Sequence, residues 1–404
     1  MSRGAFNAAE LIARVAARGE GVTASGRHVP LTAPGDLVVL DGSIQPGPHH
    51  ATPPCRHFPA CGGCQIQHLD EAALAGFVQD RVVHAAAGQG LIAAKIARAH
   101  LSPPCSRRRA TLHAVRAGGR VQLGFHQQGT HRIIDMRECH VLRPGLFALV
   151  APLRALLAGW PGKRLAADVS LALTDQGADL AIKGIAAEGL AQTEALLAFA
   201  GAHRLARLSL DQGYGAETLW EPEPVTITFS GIPVSVPVGA FLQATDDGEA
   251  ALIAAAREWL DGARAVADLF SGLGGFAFAL AGRTKVLAAE AARDAHLACD
   301  AAARRSGRPA HALHRDLYRN PLRADELARF DAVVLDPPRA GAREQVDQLA
   351  SSTVGRIVYV SCNPASWARD AAQLAGGGYR LAELRPVGQF RWSTHVELAS
   401  LFVR

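Results

Sequence analysis

Lysine is scarce: it occurs only at positions 95, 163, 183 and 285, although Lys and Arg together number 42. Positive charge is therefore carried almost wholly by guanidinium groups, which grip phosphate in a planar fork and stack on bases. With a formal net charge of only +5 and a pI of 9.0, the composition is compatible with a polyanionic partner but does not by itself demand one. Long apolar runs are absent too, since stretches such as residues 147–150 are soon broken by Arg or Gly. The amino terminus lacks a basic start followed by an apolar stretch, so neither a membrane span nor an export signal is expected. Without an export signal, seven cysteines read as thiols or metal ligands, not disulfides, and a cytoplasmic setting follows. No internal repeat or low-complexity tail is visible. What is present is 404 residues with 49% apolar content, enough for a folded, soluble chain of two or three domains.

Three regions differ in pattern. Over residues 1–50, short apolar runs such as Leu11-Ile12-Ala13-Arg14-Val15 and Leu37-Val38-Val39-Leu40 alternate with glycine turns, the spacing of a small β-barrel of the oligonucleotide-binding kind. A proline- and histidine-rich connector follows. Residues 51–236 combine a helical stretch near 71–87 with strand-like runs at 121–125, 169–173 and 225–229, predicting a β-rich central domain. Over 237–404, strands at 265–269, 285–289, 332–335 and 356–360 alternate with alanine-rich helices, one near 248–260 and one after Gly275. That alternation predicts an α/β, Rossmann-like doubly wound sheet.

The loop Asp268-Leu269-Phe270-Ser271-Gly272-Leu273-Gly274-Gly275-Phe276 follows a predicted strand and opens a helix, the context of a nucleotide fingerprint. It lacks the third glycine of the dinucleotide G-x-G-x-x-G spacing, Ala277 following instead. The adenosine of S-adenosylmethionine, which has no pyrophosphate, suits it better. Glu290 ends the next predicted strand, where a carboxylate can accept ribose hydroxyls. Asp316 can reach an adenine amino group, or can simply start a helix.

Asp336-Pro337-Pro338-Arg339 follows the apolar run 332–335, so a stiff acidic loop stands at the carboxyl edge of the predicted sheet, where doubly wound folds bind ligands. Enzymes that methylate exocyclic amines carry an aromatic residue after Asp-Pro-Pro; here Arg339 takes that place. Cys362, in Val360-Ser361-Cys362-Asn363-Pro364, is delivered at the end of the next predicted strand. A lone Cys is ordinarily an inert small hydrophobe, but a thiol sharing one domain with a cofactor loop and an acidic turn points to attack on a pyrimidine ring.

With these motifs the chain resembles the RNA uracil-5-methyltransferase family over essentially its whole length, particularly the iron–sulfur members that act on ribosomal RNA. Phe241-x-Gln243, Cys362-Asn363-Pro364 and His395-Val396-Glu397 carry the resemblance. It implies a TRAM module at residues 1–50 and a class I methyltransferase domain at 237–404. It implies that Gln243, Phe270, Gly275, Glu290, Asp316 and Asp336 line the pocket for cofactor and base, that Cys362 is the nucleophile and that Glu397 is the general base. The substrate implied is RNA, ribosomal first and transfer RNA second, with no obligate protein partner and no membrane. Thr245, Ser271 and Gly275 depart from the family's usual Asn, Cys and Asn. Uracil C5 is too weak a nucleophile to take a methyl group until a thiolate adds at C6, and the proton left on C5 must then be removed by a positioned base. RNA cytosine-5 methylation also uses thiol addition, but no Cys follows Asp336-Pro337-Pro338. A non-catalytic RNA-binding or iron–sulfur sensing protein is the reading from another class.

Cys55-x5-Cys61-x2-Cys64 places three soft ligands on a short glycine-containing loop, with Cys139 as a distant fourth. Four thiolates suit zinc or an iron–sulfur cluster; the five-residue first gap and the resemblance favour a 4Fe-4S cluster. Cys105 and Cys299 read as structural, and His57, His68 and His140 as bystanders.

Overall fold

Seven strands of the carboxyl-terminal region form the sheet that positions everything else: β1 (Ala265–Leu269), β2 (Lys285–Glu290), β3 (Ala310–His314), β4 (Ala332–Leu335), β5 (Arg356–Ser361), β6 (Arg380–Gly388) and β7 (Glu397–Val403). A computed structural model of the protein describes residues 9–404; the first eight residues of the expected 1–50 domain lie outside the described residues. The strands run in the order β3-β2-β1-β4-β5-β7-β6. β1 to β5 pair in parallel, and β7 is antiparallel to both β5 and β6. All four residues of β4 are buried, as expected for a strand covered on both faces by helices. The strand order reverses between β1 and β4, which opens a crevice at their carboxyl ends.

Chain position and packing part company at the sheet's far edge. Lys95–Ile96 and His100–Leu101 both pair with β6. The preceding helix Glu71–Ala87, capped by Asp70 accepting from the Ala73 N–H, buries Leu74, Phe77, Val78 and Val82 in the same core as Val333, Tyr359 and Trp367. Residues 71–101 thus pack with the methyltransferase-like sheet although they precede the central domain's own strands.

Those strands make a six-stranded sheet, in the order Ala216–Trp220, Arg207–Asp211, Gly177–Lys183, Ala166–Thr174, Arg109–Ala117, Arg120–Gly124. It has a core of its own with helices Val150–Ala158 and Leu190–Ala202, the second being the crossover that lets Gly177–Lys183 and Arg207–Asp211 run parallel. At the amino end five short strands pair antiparallel, His28–Val29, Gly21–Thr23, Glu10–Val15, Leu37–Val38 and Ile44–Gln45 in spatial order. The two outer strands do not pair with each other among the described residues. No helix among the described residues is long and apolar enough to cross a membrane.

Candidate active site and cysteine cavity

Because β7 runs against β5, its first residue lies at the carboxyl edge of the parallel strands, and the register Ser361↔Leu398 sets Glu397 beside Cys362. The turn after Cys362 is built by its neighbours. Asn363 caps helix Pro364–Gly376 by accepting from the Ala365 N–H, and its Nδ2 donates to the Arg339 carbonyl at 2.9 Å. Ser366 Oγ donates to the same carbonyl at 2.9 Å. The Asp-Pro-Pro-Arg loop and the cysteine turn are therefore one unit. Both Cys362 and Glu397 line a cavity of about 970 Å³ with Arg107, Arg109, Phe241 and His395. Phe241 is 60% exposed, with the Arg109 guanidinium 4.5 Å from its ring centre. An exposed aromatic face backed by a cation beside a thiol is a platform on which a base can stack.

Behind Glu397, the carboxyl groups of Asp336, Asp268 and Glu249 act on one another. Burial, then the negative charge of Asp336, pushes Glu397 up to about 8, while hydrogen bonding to Gln389 and the charge of Arg109 pull it down. Asp336, deep in the domain with part of its surface open, is raised to about 7 by burial and Glu249. Asp268 is fully buried, its two oxygens lack a hydrogen-bond partner, and its pKa is pushed well above the carboxylate range by burial and by Asp336. Burial and the charges of Glu397 and Asp336 also raise the Cys362 thiol, against Arg339. A positive charge beside the raised Asp268 and Asp336 carboxyl groups would favour their ionised forms, and a sulfonium cofactor would supply one.

The cofactor residues inferred from sequence lie outside the lining of the Cys362 cavity: Phe270, Glu290, Asp316 and Asp336 stand at or just past the ends of β1, β2, β3 and β4, Gly275 opens helix Gly275–Leu280, and Gln243 precedes helix Asp246–Trp259. Glu290 closes β2 and accepts from the Gly272 N–H at 2.9 Å and the Ala292 N–H at 2.7 Å. Phe270 has φ +62°, a left-handed conformation costly for a bulky residue, and its ring is 5.3 Å from that of Tyr318. Asp316 accepts from the Tyr318 and Arg319 N–H groups. Gln243 Nε2 donates to Asp336 Oδ2 at 3.3 Å, which ties the Phe241-x-Gln243 segment to the acidic loop. The glycine that the loop requires is Gly274: φ is +91°, and a Cβ there would lie 2.8 Å from Cys299 Sγ. Gly275 has room, since its Cβ would meet Phe229 at 3.6 Å and Glu249 Oε1 at 3.9 Å, both ordinary contacts.

Cys55, Cys61, Cys64 and Cys139 line one small cavity. Leu142 N–H donates to Cys139 Sγ at 3.5 Å, and the His57 and Gly63 backbones and the Gln67 side chain favour the charged forms of Cys55, Cys61 and Cys64. Burial nevertheless raises all four thiols, Cys64 to about 12, so holding them as thiolates requires a cationic group between them. Gly63 lets the loop close, because a Cβ there would lie 3.1 Å from the Phe125 ring and 3.6 Å from Cys61 Sγ. Among the described residues no group of three or more His, Cys, Asp or Glu is arranged to hold a single metal ion. Gly63, Arg107 and Phe125 line this cavity and the Cys362 cavity alike. Just beyond Cys64, the Gln65 and Ile66 N–H groups donate to the Trp392 carbonyl, and Gln65 Oε1 accepts from the Thr394 N–H. The cysteine loop is thus fastened to the segment that leads into Glu397.

Comparison with known proteins bears directly on this arrangement. Residues 311–404 match the model of the tRNA (uracil-5-)-methyltransferase family. An uncharacterized RNA methyltransferase of Zymomonas mobilis is 48% identical over 97% of this chain and 99% of its own. The 23S rRNA (uracil(1939)-C(5))-methyltransferase of Chromohalobacter salexigens is 35% identical over 88% of this chain and 77% of its own. The chain belongs to the RNA uracil-5-methyltransferase family. In fold it is similar to the crystal structure of the Pyrococcus abyssi tRNA (uracil-54, C5)-methyltransferase in complex with S-adenosyl-L-homocysteine, with TM-score 0.74 and 21% identity over 98% of this chain and 100% of that one.

One departure from the family pattern has a local counterpart. Thr245 caps helix Asp246–Trp259 by accepting from the Gly248 N–H at 3.1 Å, a task Asn performs equally well. Sequence reading passed over Arg109 and Gln389. Arg109 is lowered to about 10 by burial and Arg107 while it faces Glu397 and Cys362, and Gln389 donates to Glu397 Oε2. The arginine run 107–109 was a visible signal for the first. Nothing near Gln389 marked the second, because its partners come from distant segments.

Proposed function

We propose that this protein transfers a methyl group from S-adenosylmethionine to C5 of a uridine in RNA, ribosomal RNA being the first candidate. The observation that carries the reading is the meeting of Cys362 and Glu397 in one cavity walled by Phe241 and Arg109. Cys362 adds to C6 of the flipped base, which makes C5 nucleophilic. The cofactor, when bound, supplies the electrophilic methyl group. Gln243 and Asp336 orient the uracil edge. Glu397 then removes the C5 proton and the Cys362–C6 bond breaks, releasing 5-methyluridine. Phe270, Gly275, Glu290 and Asp316 hold the adenosine, with Gly275 offering backbone groups only.

The four sulfurs lining one cavity support a 4Fe-4S cluster held by Cys55, Cys61, Cys64 and Cys139. Its place beside the Glu397 loop supports an architectural role. The amino-terminal sheet serves as the TRAM-type RNA-binding module, and the working place of the enzyme is the cytoplasm. The test is methylation of ribosomal and transfer RNA by the purified protein with labelled cofactor, followed by mapping of 5-methyluridine. Methylation confined to transfer RNA would replace the ribosomal assignment. Absence of 5-methyluridine from either RNA, or unchanged product with Cys362→Ala, overturns the mechanism.

A further inference from the structure

We infer that Gln389 is a positioning residue that sets Glu397 and Gln243 in their working orientations; this rests on the reading of Glu397 as the proton acceptor. Gln389 follows β6 directly and is 1% exposed. Its Oε1 accepts from the Ala244 N–H at 3.0 Å and the Thr245 N–H at 3.3 Å. Its Nε2 donates to Gln243 Oε1 at 2.9 Å and to Glu397 Oε2. A primary amide has two N–H donors and two lone pairs, and here all four are engaged. Backbone N–H groups only donate, so they dictate which end of the amide is oxygen and the side chain has no alternative flip.

Two consequences reach the reacting base. Gln243 must offer its carbonyl to Gln389, which leaves its NH2 directed to Asp336 at 3.3 Å and free to orient a substrate oxygen. Glu397 has Oε2 tied down, so Oε1 is the atom left to take the C5 proton. A donor on the carboxylate also favours the charged, basic form. It acts against burial and the charge of Asp336, which is itself raised by Glu249, and with the charge of Arg109. Cys362 also faces Glu397, and His395, Arg107 and Arg339 line the same cavity. One neutral side chain from the end of β6 thus couples the base on β7 to the segment carrying Gln243, residues that are eight and 146 positions away from it in the chain.

The test is Gln389→Met in the full-length protein, which keeps the volume and removes the amide. Product release is followed in single turnovers from about pH 6.5 to 9.5. Removing a hydrogen bond to a charged group should move the midpoint of the rate profile up by about one to two pH units and slow release about ten- to hundredfold at neutral pH. The methylated RNA should meanwhile accumulate on Cys362, and the rate should recover towards that of the parent at the alkaline end. An unchanged profile, or an equal loss at every pH, overturns the inference. Gln389→Asn, which keeps the amide on a shorter arm, should give a smaller shift in the same direction and carries the test should the Met variant fail to fold. If the parent protein forms no 5-methyluridine, the reading of Glu397 falls with the activity itself; a normal parent with an unshifted variant refutes only the role of Gln389.

Discussion

Two sulfur environments share a wall in this protein and are built on opposite principles. Cys362 is half-buried and opens into a large cavity; its neighbours are the carboxyl groups of Glu397 and Asp336, with Arg339 as the opposing charge. The four cysteines line a small cavity closed by a glycine loop. All five thiols are raised above their ordinary value by burial first. In the proposed reading, what separates a nucleophile from ligands is therefore access and the partner that arrives: a pyrimidine ring at Cys362, a cationic group among the four.

The sharpest way to break the contrast is to remove each sulfur in turn. Cys362→Ala should reduce methylation to background and abolish the denaturation-resistant adduct with RNA carrying 5-fluorouracil at the target, while leaving iron and sulfide content unchanged. Persistent trapping would show that another nucleophile acts. Glu397→Gln keeps the shape without basicity and should slow product release by about a hundred- to ten-thousandfold, with methylated RNA retained on Cys362. A normal release rate would make Glu397 a bystander.

On the other side of the wall, Cys61→Ser should lower iron and acid-labile sulfide in anaerobically purified protein and depress thermal stability, since Gln65 and Ile66 hold the Trp392 carbonyl. Stoichiometric zinc without sulfide in the parent protein would refute the cluster.

A smaller effect separates the two cavities by pH. Glu397 at about 8 and Asp336 at about 7 lie above their unfolded values, so the folded chain retains protons that the unfolded chain has lost. Stability contributed by these groups is full below the unfolded carboxylate range and is lost as pH rises through about 7 to 8. Thermal midpoints should therefore fall over that window, and a positively charged cofactor should diminish the fall. A flat profile would mean that both groups stay ionised. The smallest expected effect is at the glycine loop. Gly275→Ala should leave the thermal midpoint nearly unchanged, whereas Gly274→Ala should destabilise by about 1 to 3 kcal/mol from positive-φ strain and overpacking; equal behaviour of the two would break the packing argument.

Much of the methyltransferase-like sheet was legible because its strands are short continuous apolar runs ending in chemically marked turns. The strand expected at 332–335 is the one observed, and Asp336 and Cys362 stand at strand ends as their motifs required. The helix over 71–87 was equally legible, but its allegiance to the far edge of the catalytic sheet was not, since packing partners hundreds of residues away leave no local periodicity.

Local chemistry by itself determined which residue types stand at the turns: a thiol followed by a capping Asn and a helix-starting Pro, a carboxylate before two prolines, four cysteines near glycines. These depend on spacings within a few residues, which a linear chain displays directly. Only the tertiary structure decided that β7 runs antiparallel and so sets Glu397 beside Cys362, that one amide at 389 serves Gln243 and Glu397 together, and that the cysteine cavity shares Arg107 with the Cys362 cavity. Those outcomes depend on register and on packing between distant segments, and burial then shifts the acidity of the groups so gathered.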